Sequence, residues 1–120
     1  ASHSPDLAIV IPCFYKGELV GFAANTAHHL DIGAATPGLI IDIPDVFAEG
    51  MLFAGTKLYE KGVRNEAMWE FLGRNSRAAT QLQSDIEAQL AAIWGRILGV
   101  PKVGAKGMRA CMTGWLGWPA

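Results

Sequence analysis

Cysteine is scarce in this 120-residue sequence, with only Cys13 and Cys111, which lie far apart and form no CxxC pair. This excludes a disulfide-stapled framework. One disulfide stays open as an alternative, but two lone thiols in a cytosolic protein fit the spacing better. Apolar runs are also short, and none reaches the roughly 18 residues that a membrane-spanning helix needs. Residues 1–10 lack the basic region of a secretory signal, so we expect a cytoplasmic protein.

A large charge of either sign is absent as well, since the net charge is −1 and the pI is about 6.3. This excludes a nucleic-acid binder that relies on bulk positive charge. The charges are unevenly divided: residues 1–60 carry 2 basic and 7 acidic side chains, and residues 61–120 carry 8 and 4. The acidic groups therefore concentrate in the half of the chain that contains all three histidines.

Apolar residues are plentiful, because 51% of the chain is hydrophobic and only 18% is charged, which indicates a folded core. A chain this small buries a limited fraction of its surface, so we expect some apolar surface to meet another chain. The sequence opens on Ala1-Ser2-His3 without an initiator methionine. We therefore expect a processed product or a piece of a longer protein.

Two apolar runs at residues 7–14 and 18–25 flank Lys16-Gly17 and predict an antiparallel β-hairpin. Pro12 has no N–H for a strand ladder, which favours an edge position or a bulge near it. A long loop at residues 32–50 and a third extended segment at residues 51–59 are predicted to follow.

Helical patterns occupy the next part of the chain. Asn65 is a predicted N-cap for a first helix. A second helix is predicted to start at Ser76 and to end at Gly99 and Pro101. Its apolar residues recur at helical spacing and form one face: Leu82, Ile86, Leu90, Ile93 and Ile97. We therefore predict an α+β fold, a hairpin and an extended segment followed by two α-helices, as part of a larger subunit.

The pattern His-x-x-Asp occurs twice, from His3 to Asp6 and from His28 to Asp31. In a hairpin centred on Lys16-Gly17, the numbers of paired residues sum to about 33. The residue numbers sum to 34 for the pair of Asp6 and His28, and also for the pair of His3 and Asp31. One bulged residue would therefore bring all four side chains together at the open end of the hairpin. This N/O ligand set suits Mn, Fe(II) or Zn. A surface polar cluster is the alternative interpretation, since the pattern also arises by chance.

Other candidate residues carry weaker signals. Asp42, Asp45 and Glu49 in the long loop could supply a base or a group that orients a metal ligand, or they could form a solvated loop. Cys13 lies in an apolar strand and is predicted to be a buried, inert thiol. The sequence has no GxxxxGK[ST] motif, so no nucleotide site of that type is predicted.

The first 38 residues resemble the hydantoinase B/5-oxoprolinase family, whose pattern reads roughly HxPD, PxF, GEL, AHxxDIGG and TPG. The matching segments in this chain are residues 3–6, 12–14, 17–19, 27–33 and 36–38. The resemblance continues through residues 49–66 and a helix ending near Ala92, about three quarters of the chain. This family includes B-type subunits of N-methylhydantoinases and large subunits of acetone and acetophenone carboxylases.

The resemblance implies a manganese site built from His3, Asp6 and His28, with zinc or iron as other candidate metals. It makes Asp31 a further ligand or an orienting carboxylate and, with His29, a candidate catalytic residue. It also implies an ATP-dependent enzyme acting on a small carbonyl or cyclic amide, by hydantoin or 5-oxoproline hydrolysis or by ketone carboxylation. A separate A-type subunit would use the ATP, in a hetero-oligomer that involves neither nucleic acid nor membrane.

Two other hypotheses stay open from the sequence: a non-catalytic accessory subunit that docks on a larger carboxylase or hydantoinase complex, and a stand-alone metal-binding domain. The chain also departs from the family pattern. Ala34 follows Gly33 where the family has a second glycine, and the resemblance ends after about Ile93. We therefore predict a family-like partial domain at residues 1–100 and an atypical tail at residues 101–120, disordered or foreign to the family.

Overall fold

A β-hairpin forms the N-terminal part of the computed structural model, which describes residues 3–38 and 41–98. Strand β1 (Asp6–Tyr15) pairs antiparallel with β2 (Glu18–His28) across the turn at Lys16-Gly17. Both turn residues have positive φ, 51° for the lysine and 84° for the glycine, as a primed hairpin turn requires. The predicted hairpin is confirmed.

The register of the hairpin shifts by one residue between Cys13 and Phe14, which is a β-bulge. Pro12 lies beside this bulge, as its missing N–H predicts. Beyond the bulge the ladder runs without interruption to its last pair, in which Asp6 lies opposite His28. These two side chains therefore leave the sheet on the same face, at its open end.

Alternation separates the two faces of the hairpin. The inner-face residues of β1 that pack on the core are Leu7, Ile9 and Ile11. The outer face keeps large apolar side chains in solvent, and Phe22 is 67% exposed. Asp6 lies one position from the inward-facing Leu7, so the pair of Asp6 and His28 belongs to the outer face.

Helix α1 (Glu66–Arg74) begins where the sequence predicts. The side chain of Asn65 caps it by accepting a hydrogen bond from the Met68 amide at 3.2 Å. Helix α2 (Ala79–Leu98) begins three residues after the predicted start at Ser76. The hydroxyl of Ser76 instead accepts a hydrogen bond from a backbone amide in the preceding turn, a local bond that competes with helix formation.

The segment between the hairpin and α1 contains little regular structure. Asp45 caps a short 3-10 helix at Val46–Glu49. Of the extended segment predicted at residues 51–59, only its end pairs as a strand, with β3 (Tyr59–Glu60) against β4 (Val63–Arg64). The hairpin followed by two helices confirms the α+β fold class. Within the described part of the chain, no helix is both long and apolar enough to cross a membrane.

The core lies between the inner face of the hairpin and the two helices. Its main cluster consists of Ile32, Trp69, Leu72, Leu82 and Ile86. A smaller cluster joins Ile11 of β1 to Ile93 of α2. The predicted apolar face of α2 is thus confirmed for Leu82, Ile86 and Ile93, whereas the side chain of Ile97 lies outside the described residues. The predicted helix end at Gly99 and Pro101, Cys111 and the predicted tail at residues 101–120 also lie outside the described residues.

Gly33 provides a test of how closely the loop after β2 packs on α1. Its φ is +85°, and a Cβ atom at this position would lie 2.6 Å from the carbonyl oxygen of Asn75. Gly38 is a matched control, because its φ is +86° and the space around it is open. We expect Gly33→Ala to lower the free energy of unfolding by about 3 kcal/mol, and Gly38→Ala by about 1 kcal/mol. Urea unfolding measures both changes, and equal losses would contradict close packing at Gly33.

Candidate metal centre

The open end of the hairpin is closed by backbone hydrogen bonds around Pro5. The carbonyl oxygen of Pro5 accepts hydrogen bonds from the amides of Leu7, at 3.0 Å, and His29, at 2.9 Å. The amide of Asp6 also donates to the carbonyl of His3 at 3.2 Å, which folds the first His-x-x-Asp segment into a turn. This turn brings His3 back over the last pair of the ladder.

Three side-chain atoms converge at this point: Nε2 of His3, Oδ1 of Asp6 and Nδ1 of His28. The two histidine nitrogens are 2.9 Å apart. The Asp6 oxygen lies 3.3 Å from the His3 nitrogen and 3.2 Å from the His28 nitrogen. The register of the hairpin and the turn before it thus bring together His3, Asp6 and His28, the three residues that the family resemblance marks as metal ligands.

The separations of these three atoms suit a shared divalent cation. Two ligand atoms about 2.1 Å from an ion and at right angles to each other are about 3.0 Å apart. A proton can bridge only two of these three atoms in a hydrogen bond. A bound divalent cation would accept a lone pair from all three. The side chains are also accessible, at 21% exposed for His3, 22% for Asp6 and 42% for His28. The donor set therefore fits a metal of the two-histidine, one-carboxylate type.

Glu49 fixes the segment that carries His3 and Asp6, two of the three converging residues. Its carboxylate accepts a hydrogen bond from the backbone amide of Ser4, between His3 and Asp6, at 2.6 Å. The Ser4 hydroxyl and then the Ser4 amide hold the pKa of Glu49 below its ordinary value, with a smaller contribution from the nearby His3. Of the three loop acids singled out in the sequence, Glu49 is therefore the one that contacts the ligand segment.

A cavity of about 330 Å³ adjoins the cluster. His3, Ser4 and Asp6 line one part of it, and apolar side chains that include Met51 and Phe53 line the rest. Its volume lies at the lower end of the range for small-molecule sites, and its lining combines apolar walls with a few polar groups, as such sites do.

Asp31 does not join this cluster, and the prediction that both His-x-x-Asp pairs meet is wrong for it. Its buried carboxylate accepts hydrogen bonds from the Gly33 amide at 2.9 Å, the Arg77 amide at 2.6 Å and the Arg77 guanidinium at 3.0 Å. Burial raises the pKa of Asp31, but the hydrogen bonds from the two amides and the charge of Arg77 outweigh it and hold the pKa below its ordinary value. Asp31 thus anchors the loop after β2 to the start of α2.

His29 also points away from the cluster. It is 1% exposed, and its Nε2 lies 2.7 Å from Oε1 of Gln89 on α2. Its Nδ1 has no hydrogen-bond partner among the described residues. Neither side chain reaches the three converging atoms, and the catalytic roles that the resemblance implies for Asp31 and His29 stay predictions.

Sequence reasoning missed two residues that organise this region, Arg77 and Gln89. A signal for Gln89 was present, since it occupies a position on the apolar face of α2 between Ile86 and Ile93 and is only 5% exposed. A polar residue in such a stripe indicates a buried hydrogen-bond partner. Nothing in the local sequence of Arg77 singles it out. Cys13, predicted to be buried, is half-buried, and its thiol lies 3.8 Å from the carbonyl oxygen of Ile11.

Comparison with known proteins identifies the family. The family model for hydantoinase B/oxoprolinase matches residues 1–106. The chain belongs to this family. The match extends beyond position 93, where the sequence resemblance was expected to end, and covers the first residues of the predicted tail. No solved structure matches the chain.

Three relatives illustrate the similarity. The B-type subunit of a candidate D-/L-hydantoinase from Pseudomonas sp. (strain NS671) is 51% identical over 94 residues, which are 77% of this chain and 16% of that protein. A 5-oxoprolinase from Dictyostelium discoideum is 36% identical over 92 residues, 76% of this chain and 7% of the relative. The beta subunit of the Pseudomonas jessenii caprolactamase is 35% identical over 117 residues, 93% of this chain and 20% of the relative. The chain thus spans no more than about one fifth of the length of these relatives.

The carboxylate of Asp31 predicts a pH-dependent contribution to stability. Since its pKa is lowered on folding, the contribution is fully present above the unfolded pKa of about 4 and is lost as the pH falls through the lower folded value. We expect Asp31→Asn to lower the free energy of unfolding by about 2–3 kcal/mol at pH 7, and by less as the pH falls below about 4. Urea unfolding between pH 2.5 and 7 measures the difference, with the exposed Asp42→Asn as control. A deficit that stays constant over this range would refute the assignment.

Proposed function

We propose that this chain supplies the metal-holding part of a B-type subunit in an ATP-dependent enzyme that opens a small cyclic amide. The observation that carries the proposal is the convergence of the His3, Asp6 and His28 donor atoms within 3.3 Å of one another. Family membership supports the enzyme class. Hydantoin, 5-oxoproline and caprolactam, which give the three relatives their names, are all cyclic amides. On these three names we favour ring opening, with carboxylation of a ketone as the alternative, because another relative is named acetophenone carboxylase delta subunit.

The ligand set indicates which cation the site would hold. Two imidazoles and one carboxylate suit Mn, Fe(II) or Zn, and we favour manganese because of the family resemblance. When bound, a divalent cation supplies polarisation of a carbonyl oxygen and acidification of water. His3, Asp6 and His28 would hold that cation beside the polar end of the cavity, where His3 and Asp6 line the wall.

The size and lining of the cavity suit a small substrate. A volume of about 330 Å³ accommodates a single ring with short substituents. Met51 and Phe53 present apolar surface to the carbon skeleton, while the polar end faces the carbonyl group. This arrangement would orient an amide carbonyl toward the cluster of His3, Asp6 and His28.

We assign the use of ATP to an A-type partner. The sequence carries no GxxxxGK[ST] motif, and two of the relatives are named as single subunits of their enzymes. The outer face of the hairpin offers a surface for such a partner, because Val10, Val20 and Phe22 are each more than half exposed. The Asp6–His28 pair belongs to the same face, so a partner seated there would cover the ligand cluster.

Metal binding by the chain tests the central part of the proposal. We expect the 120-residue chain to bind about one Mn(II) per chain, measured by calorimetry and by electron paramagnetic resonance. His28→Ala and Asp6→Asn each remove one ligand. We expect each to weaken Mn(II) binding by more than the roughly 10–100-fold that loss of an outer hydrogen-bond partner causes.

Glu18→Gln is the matched control, because it removes an exposed carboxylate of the same hairpin at the opposite end. It should leave Mn(II) affinity unchanged. Equal affinity in all variants, or absence of Mn(II), Zn(II) and Fe(II) binding by the unaltered chain, would refute the metal centre.

The docking surface is tested with Phe22→Ser. Loss of a large aromatic anchor from an interface costs about 2 kcal/mol or more, so we expect at least a tenfold weaker complex with the A-type partner. Size-exclusion chromatography and calorimetry of the two purified proteins measure complex formation. Thr26→Ser, on the exposed side of the same strand, is the control. Unchanged binding by Phe22→Ser would place the partner on another surface.

A further inference from the structure

Gln89 is a buried polar residue on the otherwise apolar face of α2 that packs against the hairpin. Its side-chain amide donates to the carbonyl of Leu7 at 3.0 Å and to Oδ1 of Asn25 at 3.3 Å. Its Oε1 lies 2.7 Å from Nε2 of His29. The side chain of Asn25 donates in return to the backbone carbonyl of Gln89 at 3.1 Å. A single helical residue is therefore bonded to both strands of the hairpin.

The directions of these bonds are fixed by the two backbone carbonyls, which can only accept. The carbonyl of Leu7 requires the NH₂ group of Gln89, so Oε1 of Gln89 faces His29. His29 must then donate from Nε2. The network is self-consistent and keeps the Nε2–H of His29 directed at Gln89.

The bonded residues are the immediate neighbours of two metal ligands. Leu7 follows Asp6 on β1, and His29 follows His28 at the end of β2. Because alternate residues of a strand face opposite sides, Gln89 holds the inner side of each strand end while the ligands leave from the outer side. The hydrogen bond from the His29 amide to the Pro5 carbonyl ties the same two ends together.

An apolar residue at position 89 would pack in the stripe without the desolvation that a buried amide requires. Two strands that form an isolated two-stranded sheet are only marginally stable by themselves, so the separation of their open ends depends on what they pack against. Gln89 fixes that separation through directional bonds, which apolar contacts do not provide.

We propose that Gln89 is a positioning residue that sets the relative placement of Asp6 and His28 for metal binding. This inference rests on the proposed metal centre. Loss of its bonds would let the two strand ends shift by fractions of an ångström, which is enough to degrade a ligand set of fixed separations.

The test compares Gln89→Met with Gln83→Met. Both substitutions remove a glutamine of α2 that donates to a backbone carbonyl, but Gln83 bonds the carbonyl of Trp69 in α1, away from the hairpin. We expect Gln89→Met to weaken Mn(II) binding by about 10–100-fold and to change the visible spectrum of the Co(II)-substituted chain. Gln83→Met should keep both the affinity and the spectrum, whatever its effect on stability. Wild-type affinity and spectrum in Gln89→Met would overturn the proposal.

A second readout does not depend on metal. The rings of His3 and His28 have centroids 5.0 Å apart, so a nuclear Overhauser effect between them reports the placement of the strand ends. We expect this signal to weaken in Gln89→Met and to persist in Gln83→Met; its persistence in both would refute the role of Gln89. If the unaltered chain binds no metal, the metal centre fails while this readout still decides on Gln89.

Should Gln89→Met not fold, Gln89→Asn provides the same comparison. Its amide is shorter by one methylene and cannot reach both Leu7 and His29, although the position stays polar. Reduced Mn(II) affinity with a weakened ring-to-ring signal in this variant supports the proposal, and wild-type behaviour in both readouts overturns it.

Discussion

The register of the hairpin is the constraint on which the rest of the structure depends. The turn at Lys16-Gly17 and the bulge beside Pro12 place Asp6 opposite His28. A slip of one residue would move each of these side chains to the opposite face of the sheet. The inner face would then lose its apolar contacts with α2, and the outer face would lose the pair of Asp6 and His28. Core packing and the ligand cluster are therefore selected by the same pairing.

The two copies of His-x-x-Asp serve different purposes in the fold. The first copy forms a turn that directs His3 toward the ladder's last pair. The second is divided by the end of β2, because the chain turns inward after His28. His29 and Asp31 then become buried, and each finds its partner on or just before α2. Identical spacing thus places both side chains of the first copy, but only His28 of the second, in the converging cluster. Asp31 becomes an internal anchor because the backbone turns inward after His28.

Family membership and geometry contribute different parts of the functional argument. The match to hydantoinase B/oxoprolinase over residues 1–106 gives the class. The geometry adds which atoms converge, that the cluster borders a cavity, and that it lies on an exposed apolar face. The chain spans at most about one fifth of the length of the relatives described above. The substrate and the partner are therefore proposals, which combine family membership with the geometry.

The sequence by itself determined the hairpin, its turn, the N-cap at Asn65 and the apolar stripe of α2, because each depends on local conformational preference and periodicity. It also predicted that Asp6 and His28 pair, from the position of the turn together with one bulged residue in the hairpin. Only the tertiary structure decided which groups Asp31 and Gln89 bond to. Their partners lie 46 and 60 or more positions away along the chain, and no local pattern encodes which distant donor or acceptor a buried polar group will meet.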